Sequence, residues 1–469
     1  MNLQQIFFLQ LLLPVFVAIF CSFFNRFKFS FLLLVAACLF CIISSGIVAY
    51  YTFYNDFSIL YALGGWSTKY GIEIKADFLN SVFVCILWVV FLSSVIYNLY
   101  TTSKKFKKAS LFWPIMLICC FGMTGMIYTN DIFNLYVFLE IASLSSYTIV
   151  ASRRSKMSYI AAFEYLIVGT FAGTLYLLGI GFLYSVTGTL NIEELIRKIP
   201  SVIALKTTKI GIIFVLVAFL IKAAIFPLCS WLVKIYQSCC CTVGAFLSGT
   251  STKVSVYLFA KFFCIIFFNN QDLISPKLIQ VILLIGAFTA LFASALAAFQ
   301  CKEIRKILSY SSISHIGYML VTLCAESNTA MKILLLQIVA HSTAKPCMFI
   351  ALGHMEEEQH STQKVSSQMI PYILLSCISI VGLPLTAGFL AKFYLFDTVI
   401  EQKNFLITTT LLLSSLFSTC YSWKIFKIFA SHSTKSIKLP ISLHFALGIL
   451  CSVNIAFGCM LGSYVTHHP

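Results

Sequence analysis

Residues 209–232 read KIGIIFVLVAFLIKAAIFPLCSWL. Twelve uncharged, mostly apolar residues separate Lys209 from Lys222, and the apolar run resumes after Lys222. A helix rises about 1.5 Å per residue, so about 20 such residues cross the hydrocarbon of a bilayer. Lys222 therefore sits deep inside a stretch of membrane-crossing length, where its ammonium cannot easily snorkel to water. Pro227 follows five residues later and interrupts the helix. Broken helices in membranes are tolerated where they line a cavity or pack in protein. An ionisable residue at that depth marks an ion path, a proton relay or a counter-ion. The stretch predicts a helical membrane protein with chemistry at its centre, because a passive anchor needs no buried lysine.

The rest of the chain has the same texture. It is 60% hydrophobic and 10% charged over 469 residues, which no soluble domain sustains. Fourteen apolar stretches are expected to span: 6–24, 29–50, 78–100, 111–128, 132–151, 160–186, 209–228, 241–264, 278–300, 306–325, 330–352, 372–396, 405–429 and 441–463. The first has no basic flank and no small-residue cleavage site, so it reads as a retained span rather than a signal peptide. The net charge of +16 is spread over short loops, which excludes a nucleic-acid-binding surface. The 18 cysteines lie in or beside apolar runs with no zinc spacing to histidine, and behave as small apolar residues. No Gly-rich phosphate loop, haem-ligand pair or iron–sulfur framework is legible, so no cofactor is expected. The drive must come from an ion gradient or a partner subunit. The 45 phenylalanines, with lysine in excess of arginine, point to a compositionally drifted bacterial genome.

Loop charge predicts topology. Numbered after each span, the odd loops carry 18 basic residues, among them Lys104, Lys105, Lys107, Lys108, Arg153, Arg154 and Arg305, against 8 in the even loops. The positive-inside rule puts the odd loops in the cytoplasm and both termini outside, in the bacterial inner membrane. Glu356, Glu357 and Glu358 are an acidic exception in an odd loop. The segment 190–203 is too short and too charged to span, and is expected to form an interfacial helix on the outer side.

Breaks and charges recur at matching places. Pro346 follows Lys345 directly, and Gly382-Leu383-Pro384 interrupts the twelfth span before Lys392. Spans 4–8 and 9–13 then form two five-helix units whose fourth helix is broken and carries a lysine. Five is odd, so the units are inverted relative to each other, with the transport path between them. The expected division is an N-terminal part over 1–110, repeats over 111–268 and 269–430, and a final span over 431–469.

The candidates follow from depth and face. Glu140 lies nine residues, about 13 Å, beyond the boundary acid Asp131 in DIFNLYVFLEIASLSSYTIVA, residues 131–151. A lone carboxylate there is neutral unless a cation lies nearby. Lys222 and Lys253 are the deep cations of the same unit, so a switchable Glu140–Lys222 pair is expected. The alternative is a Glu140 that only hydrogen-bonds a neighbouring helix. Lys253 stands among Ser248, Thr250, Ser251, Thr252 and Ser255, hydroxyls suited to relay a proton. Ser311, His315, Tyr318 and Thr322 share one helical face. His315 titrates near neutral pH and suits a relay, or is simply satisfied by a neighbouring hydroxyl. His341 and Lys345, four apart, share a face, and Lys392 follows the Gly-Pro break. Glu164 lies near the inner end of its span, within reach of Arg153, Arg154 or Lys156.

The stretches DIFNLYVFLEIASLSSYTIVA, IKAAIFPLCSWL, AFLSGTSTKVSVYLFAKF, ILSYSSISHIGYML, HSTAKPCMFIALG and GLPLTAGFLAKF resemble, in order, the antiporter-like membrane subunits. That family is shared by respiratory complex I, membrane-bound hydrogenases and multisubunit Mrp-type Na+/H+ antiporters. The likeness covers roughly residues 75–430 and is greatest to the D-type component of Mrp antiporters. It implies an all-α integral membrane fold of about 14 transmembrane helices with two inverted five-helix repeats. It implies that Glu140 matches the fifth-helix glutamate, Lys222 the lysine of the broken seventh helix, Lys253 the eighth-helix lysine and Lys392 the twelfth-helix lysine. His341 and Lys345 match polar positions of a central hydrophilic axis. The chain departs from the family at Cys229-Ser230-Trp231-Leu232-Val233-Lys234-Ile235-Tyr236, where two histidines and a second proline are usual, and at Ser238–Val243. His315 stands where glutamine is common.

Three functions stay open on this reading. The first is a proton-translocating subunit of a monovalent cation/H+ antiporter, partnered by other membrane subunits and moving H+ against Na+ or K+. The second is a proton-pumping subunit of an NADH–quinone oxidoreductase. The third is a scaffold that has lost transport.

Overall fold

The computed structural model describes residues 3–23, 27–55, 57–66, 71–101, 111–267, 276–325, 327–358, 365–434 and 438–460. The basic loop at 102–110, expected in the cytoplasm, lies outside the described residues.

Helices α1 (Leu3–Phe23) and α2 (Phe27–Tyr54) lead into a small antiparallel hairpin, β1 (Ile59–Ala62) and β2 (Glu73–Ala76), with Ile59 opposite Ala76. Helix α3 (Phe78–Thr101) starts where Asp77 and Asn80 exchange backbone-to-side-chain bonds of 2.7 and 2.9 Å. Then come α4 (Phe112–Tyr128), α5 (Ile132–Ala151) and α6 (Lys156–Thr187). The segment 190–203 forms the expected short helix, α7 (Ile192–Val202), capped by the Asn191 side chain. Its Ile192, Leu195 and Ile199 are buried along one face, and its charges face outward.

The central helices are interrupted. Helix α8 (Lys206–Lys222) stops at the lysine, and α9 (Ser230–Ser238) resumes after seven residues. Helix α10 (Cys241–Gly249) and α11 (Ser251–Phe267) are divided at Thr250. Helix α12 (Pro276–Ala295) ends in a wider π turn over Leu296–Gln300, and α13 (Ile304–Val321) follows. Helix α14 (Ser327–Glu358) is the enclosed centre: every side chain from Lys332 to Met355 is buried. Helix α15 (Ile370–Val381) and α16 (Ala387–Glu401) flank the Gly-Leu-Pro break. Helix α17 (Phe405–Ser431) and α18 (Ile441–Met460) complete the chain, with two-residue strands β3 (Val365–Ser366) and β4 (Ser433–Thr434) paired in parallel.

Among the described residues, α1, α2, α3, α5, α6, α12, α14, α17 and α18 are the nine helices long and apolar enough to cross a membrane. The stretches expected at 241–264 and 372–396 appear instead as pairs of shorter helices, and that at 209–228 is helical only as far as Lys222. Two boundaries move for physical reasons. A boundary at 228 leaves out α9, which is no loop: Trp231, Leu232, Ile235 and Tyr236 are buried in the core. The break expected at Pro346 does not occur, since α14 continues through it. Proline removes one hydrogen bond and crowds the preceding turn. Here Gly249 of α10 lies against Pro346 and the Ser342 carbonyl, leaving no room for a Cβ at that crossing, while the Ser342 hydroxyl donates to the Gly249 carbonyl at 2.6 Å.

Helix α14 packs against α3, α10, α15, α16 and α18, and α8 packs against α6 and α11. The breaks at α10–α11 and α15–α16 thus border the central helix, and α8 reaches it through α11.

Candidate functional site

The first cluster is built on α5. Glu140, Ser143 and Tyr147 fall at spacings of three and four, so they share one face. Lys222, the last residue of α8, donates to the Ser143 hydroxyl at 2.6 Å and to the Tyr147 hydroxyl at 3.4 Å. Its ammonium also lies 5.9 Å from the centre of the Tyr147 ring. The expected contact between Glu140 and Lys222 is therefore open: no ion pair joins them, and Ser143 takes the ammonium. The Glu140 carboxylate lies instead against Gly173 of α6, which has no Cβ to obstruct it. A cavity of about 30 Å3, room for one or two waters, is lined by Ser143, Ser146, Lys222, Ser251 and Ser255. It joins the Lys222 seat to the start of α11.

Lys253 occupies the next break. The discontinuity at Thr250 frees carbonyls at the end of α10, which must find partners away from water. Lys253 donates to the Ser248 carbonyl and, at 3.1 Å, to the Thr252 hydroxyl. The serine- and threonine-rich sequence is thus a broken helix with its cation folded back onto the break.

Helix α13 collects the groups of the second half. Ser311 accepts from Lys345 of α14, which also donates to the Leu308 carbonyl at 3.2 Å. One turn on, the His315 ring centre lies 5.1 Å from that of His341, and His315 Nε2 is 3.3 Å from the Tyr421 hydroxyl of α17. Next along the face, Tyr318 donates to the Leu411 carbonyl at 3.0 Å and lies under the Lys392 ammonium, 5.0 Å from its ring centre. The expected stripe is therefore brought together from Ser311 to Tyr318, while Thr322 falls in the turn after α13.

Lys392 sits one turn into α16. It donates to the Val381 carbonyl at 2.9 Å and to Ser418 at 3.4 Å. Val381 ends α15, so the ammonium again closes a carbonyl freed by a break. Gly382 adopts φ +85, a left-handed conformation that glycine takes without steric cost. A cavity of about 20 Å3 is lined by His315, Gln337, His341, Ser379 and Lys392, enough for one water. Among the described residues, neither ring nitrogen of His341 has a hydrogen-bond partner, nor has the Gln337 amide.

Two candidates take other places. Asp131 is the N-cap of α5, accepting from the Asn134 amide at 2.6 Å. Glu164 does not reach Arg153, Arg154 or Lys156; it pairs with Lys234 of α9 at 2.6 Å. Arg153 is drawn away because its guanidinium donates to the Ser238 and Cys239 carbonyls. The acidic exception also has its reason: Arg305 grips Glu356 with two bonds of 2.7 Å while donating to the Tyr236 and Cys239 carbonyls.

Sequence reasoning passes over Ser143, Tyr147, Gln337 and Asn454. The first two share the Glu140 face. Gln337 precedes His341 by four residues, as His341 precedes Lys345, so the stripe on α14 is one turn longer than the charges alone suggest. Asn454 of α18 donates to Thr343 at 2.6 Å and to Ser379 at 3.0 Å. Its signal is a lone amide in an apolar span. Among the described residues, no group of three or more His, Cys, Asp or Glu is placed to hold a metal ion.

The chain is 31% identical over 377 residues to the N-type component of the NADH-quinone oxidoreductase of Desulforudis audaxviator, covering 78% of this chain and 74% of that one. It is 28% identical over 380 residues to the D-type component of the Na(+)/H(+) antiporter of Alkalihalophilus pseudofirmus, covering 79% and 76%. The fold is similar to a chain of the membrane-bound sulfane sulfur reductase, an archaeal respiratory membrane complex, with TM-score 0.90 and 20% identity over 99% of this chain and 96% of that one. It is similar also to a chain of the Mrp complex from Dietzia sp., with TM-score 0.85 and 20% identity over the same shares. The profile described as NADH:quinone oxidoreductase/Mrp antiporter, TM, matches residues 129–418, which takes in Glu140, Lys222, Lys253, His341, Lys345 and Lys392. With its interrupted helices and buried lysines, the chain belongs to this NADH:quinone oxidoreductase/Mrp antiporter transmembrane family.

Proposed function

We propose that the chain is the proton-translocating membrane subunit of a multisubunit monovalent cation (Na+)/H+ antiporter, of the D type, in the bacterial inner membrane. The observation that carries this reading is the series of buried lysines at helix interruptions, Lys222, Lys253 and Lys392, with Lys345 and His341 on the enclosed helix between them. Each lysine is bonded to hydroxyls or carbonyls rather than to a carboxylate, so each can give up its proton without leaving a buried counter-charge behind.

In this reading α8 with α9, α10 with α11, and α15 with α16 each make one span, and α7 lies in the interface. Fourteen spans result, with both termini outside. Spans four to eight (111–268) and nine to thirteen (269–430) form inverted units, between an N-terminal part (1–110) and the last span (431–469). In support, the break in the fourth span of each unit holds a non-glycine residue at positive φ, Ala224 at +59 and Leu385 at +72. A proton entering beside Glu140 passes to Lys222, through the serine-lined cavity to Lys253, across His341 and Lys345, and out from Lys392. His315, Ser311 and Tyr318 seat the groups of the second half. Partner subunits supply the cation path, and the chain needs no cofactor.

The 31% identity to a component of NADH-quinone oxidoreductase favours a second reading, a proton-pumping subunit driven by a redox partner. Purifying the native complex and identifying its subunits separates the two. Antiporter subunits and cation-dependent dissipation of a proton gradient are expected. Co-purifying dehydrogenase subunits would favour the second reading.

A further inference from the structure

A charged cleft of about 260 Å3, room for several waters, opens on the face that carries the β1–β2 hairpin and α7. Its walls include Lys75, Asp77, Glu193, Tyr257 and Lys261. Lys75 and Glu193, with side chains 28% and 35% exposed, form a 2.8 Å ion pair at its rim, so the cleft is reached from the surface. Asp77 is engaged by the Asn80 amide at 2.9 Å at the start of α3. Lys261 is different. It stands on α11, half-buried at the cleft wall, and among the described residues no carboxylate lies within ion-pair distance of its ammonium.

Lys253, Tyr257 and Lys261 are spaced four and four along α11, so they form one face, each step rising about 6 Å. Lys253 is fully buried and Tyr257 nearly so. A single helical face thus connects the water-accessible cleft to the lysine of the α10–α11 break.

We propose that this cleft is a second aqueous mouth, besides the entry at Glu140, through which protons reach Lys253 from the hairpin face, with Lys261 as its proton-carrying group. The inference rests on the reading that Lys253 lies on a proton path. Neutral Lys261 takes a proton from hydronium in the cleft and becomes an ammonium. It gives one proton to the Tyr257 hydroxyl, which passes its own to neutral Lys253, and Lys261 is neutral again. The ligand is therefore the proton.

The test uses vesicles containing the assembled complex, with Lys261→Arg, Lys261→His and Lys253→Gln, cation-driven exchange read by a pH dye, and pH varied on the hairpin face. Arginine keeps the charge but cannot release its proton. Lys261→Arg is expected to slow exchange about tenfold at unchanged KM for the cation. Lys261→His is expected to restore exchange below about pH 7 and to move the alkaline limb of the profile down, because imidazole titrates near 6.5. Independently, Ile196→Cys on the α7 wall, labelled with a bulky impermeant thiol reagent, is expected to block exchange relative to treated wild type. Wild-type rate and pH profile in Lys261→Arg, or full exchange after complete labelling, overturns the mouth. If Lys253→Gln exchanges normally, the underlying proton-path reading fails. If Lys253→Gln is inactive while the Lys261 variants are normal, only the mouth fails.

Discussion

Lys392 donates to the main-chain carbonyl of Val381 at 2.9 Å, so the cation of α16 closes the end of α15 that the Gly-Leu-Pro break leaves open. Lys253 does the same for Ser248 at the end of α10. In hydrocarbon an unpaired carbonyl costs several kcal/mol, of order 2–7 by transfer measurements. The break needs a donor, and the lysine needs acceptors. The two irregularities satisfy each other, and the lysine stays free of any carboxylate that would hold it charged.

Gly382 should be intolerant of a side chain. It takes φ +85, and a Cβ there would stand 2.8 Å from Lys392 Cδ. The backbone conformation alone costs an L-residue about 1–2 kcal/mol. Gly382→Ala should lower the melting temperature of the purified complex and reduce exchange by displacing Lys392. Unchanged melting and exchange would mean that the Lys392 seat is not held by this turn.

Ser143 should matter, though less than Glu140. Ser143→Ala removes the shorter of the two hydroxyl bonds to the Lys222 ammonium, leaving the 3.4 Å contact to Tyr147. A buried donor deprived of its acceptor costs about 1–3 kcal/mol. Exchange should slow several-fold in vesicles with normal assembly, and Tyr147→Phe should have a smaller effect. Glu140→Ala and Lys222→Ala should each stop exchange. Normal exchange by both of these would favour a scaffold over a transporter.

Topology can be tested by side-specific labelling. Lys198 stands on α7, which the 2.8 Å Lys75–Glu193 ion pair ties to the hairpin. Single cysteines at Lys107 and Lys198, in a cysteine-reduced background, should label from opposite sides, Lys107 from the cytoplasm. Accessibility of both from one side would sink the topology.

The helices and most of the buried charges are legible in the sequence because their signals are local. A lysine inside an apolar stretch, a Gly-Leu-Pro interruption and a four-residue polar stripe can each be read along one helix. Where one helix meets another cannot be read that way. Depth alone sets Lys222 against Glu140, yet it turns to Ser143 and Tyr147 on the same face of α5, because hydroxyls there lie within reach. Nearness in sequence points Glu164 to the arginines that precede it, yet α9 brings Lys234 to it across 70 residues. The Thr250 break is hidden because serines and threonines weaken a helix without marking a stop. Pro346 misleads in the other direction: a close glycine crossing lets α14 run through it. Asn454 is one polar residue in an apolar span until packing sets it beside Thr343 and Ser379.

The central claim is that buried lysines carry protons by losing and regaining charge, and Lys392→Arg tests it most directly. Arginine can keep the charge and reach the Val381 carbonyl, but it is effectively never deprotonated. The measurement is cation-driven proton exchange in vesicles carrying Lys392→Arg, with assembly verified on the same membranes. The account predicts an assembled complex with exchange at background. Exchange at the wild-type rate would contradict it, and the relay would then have to end on His341 and Lys345.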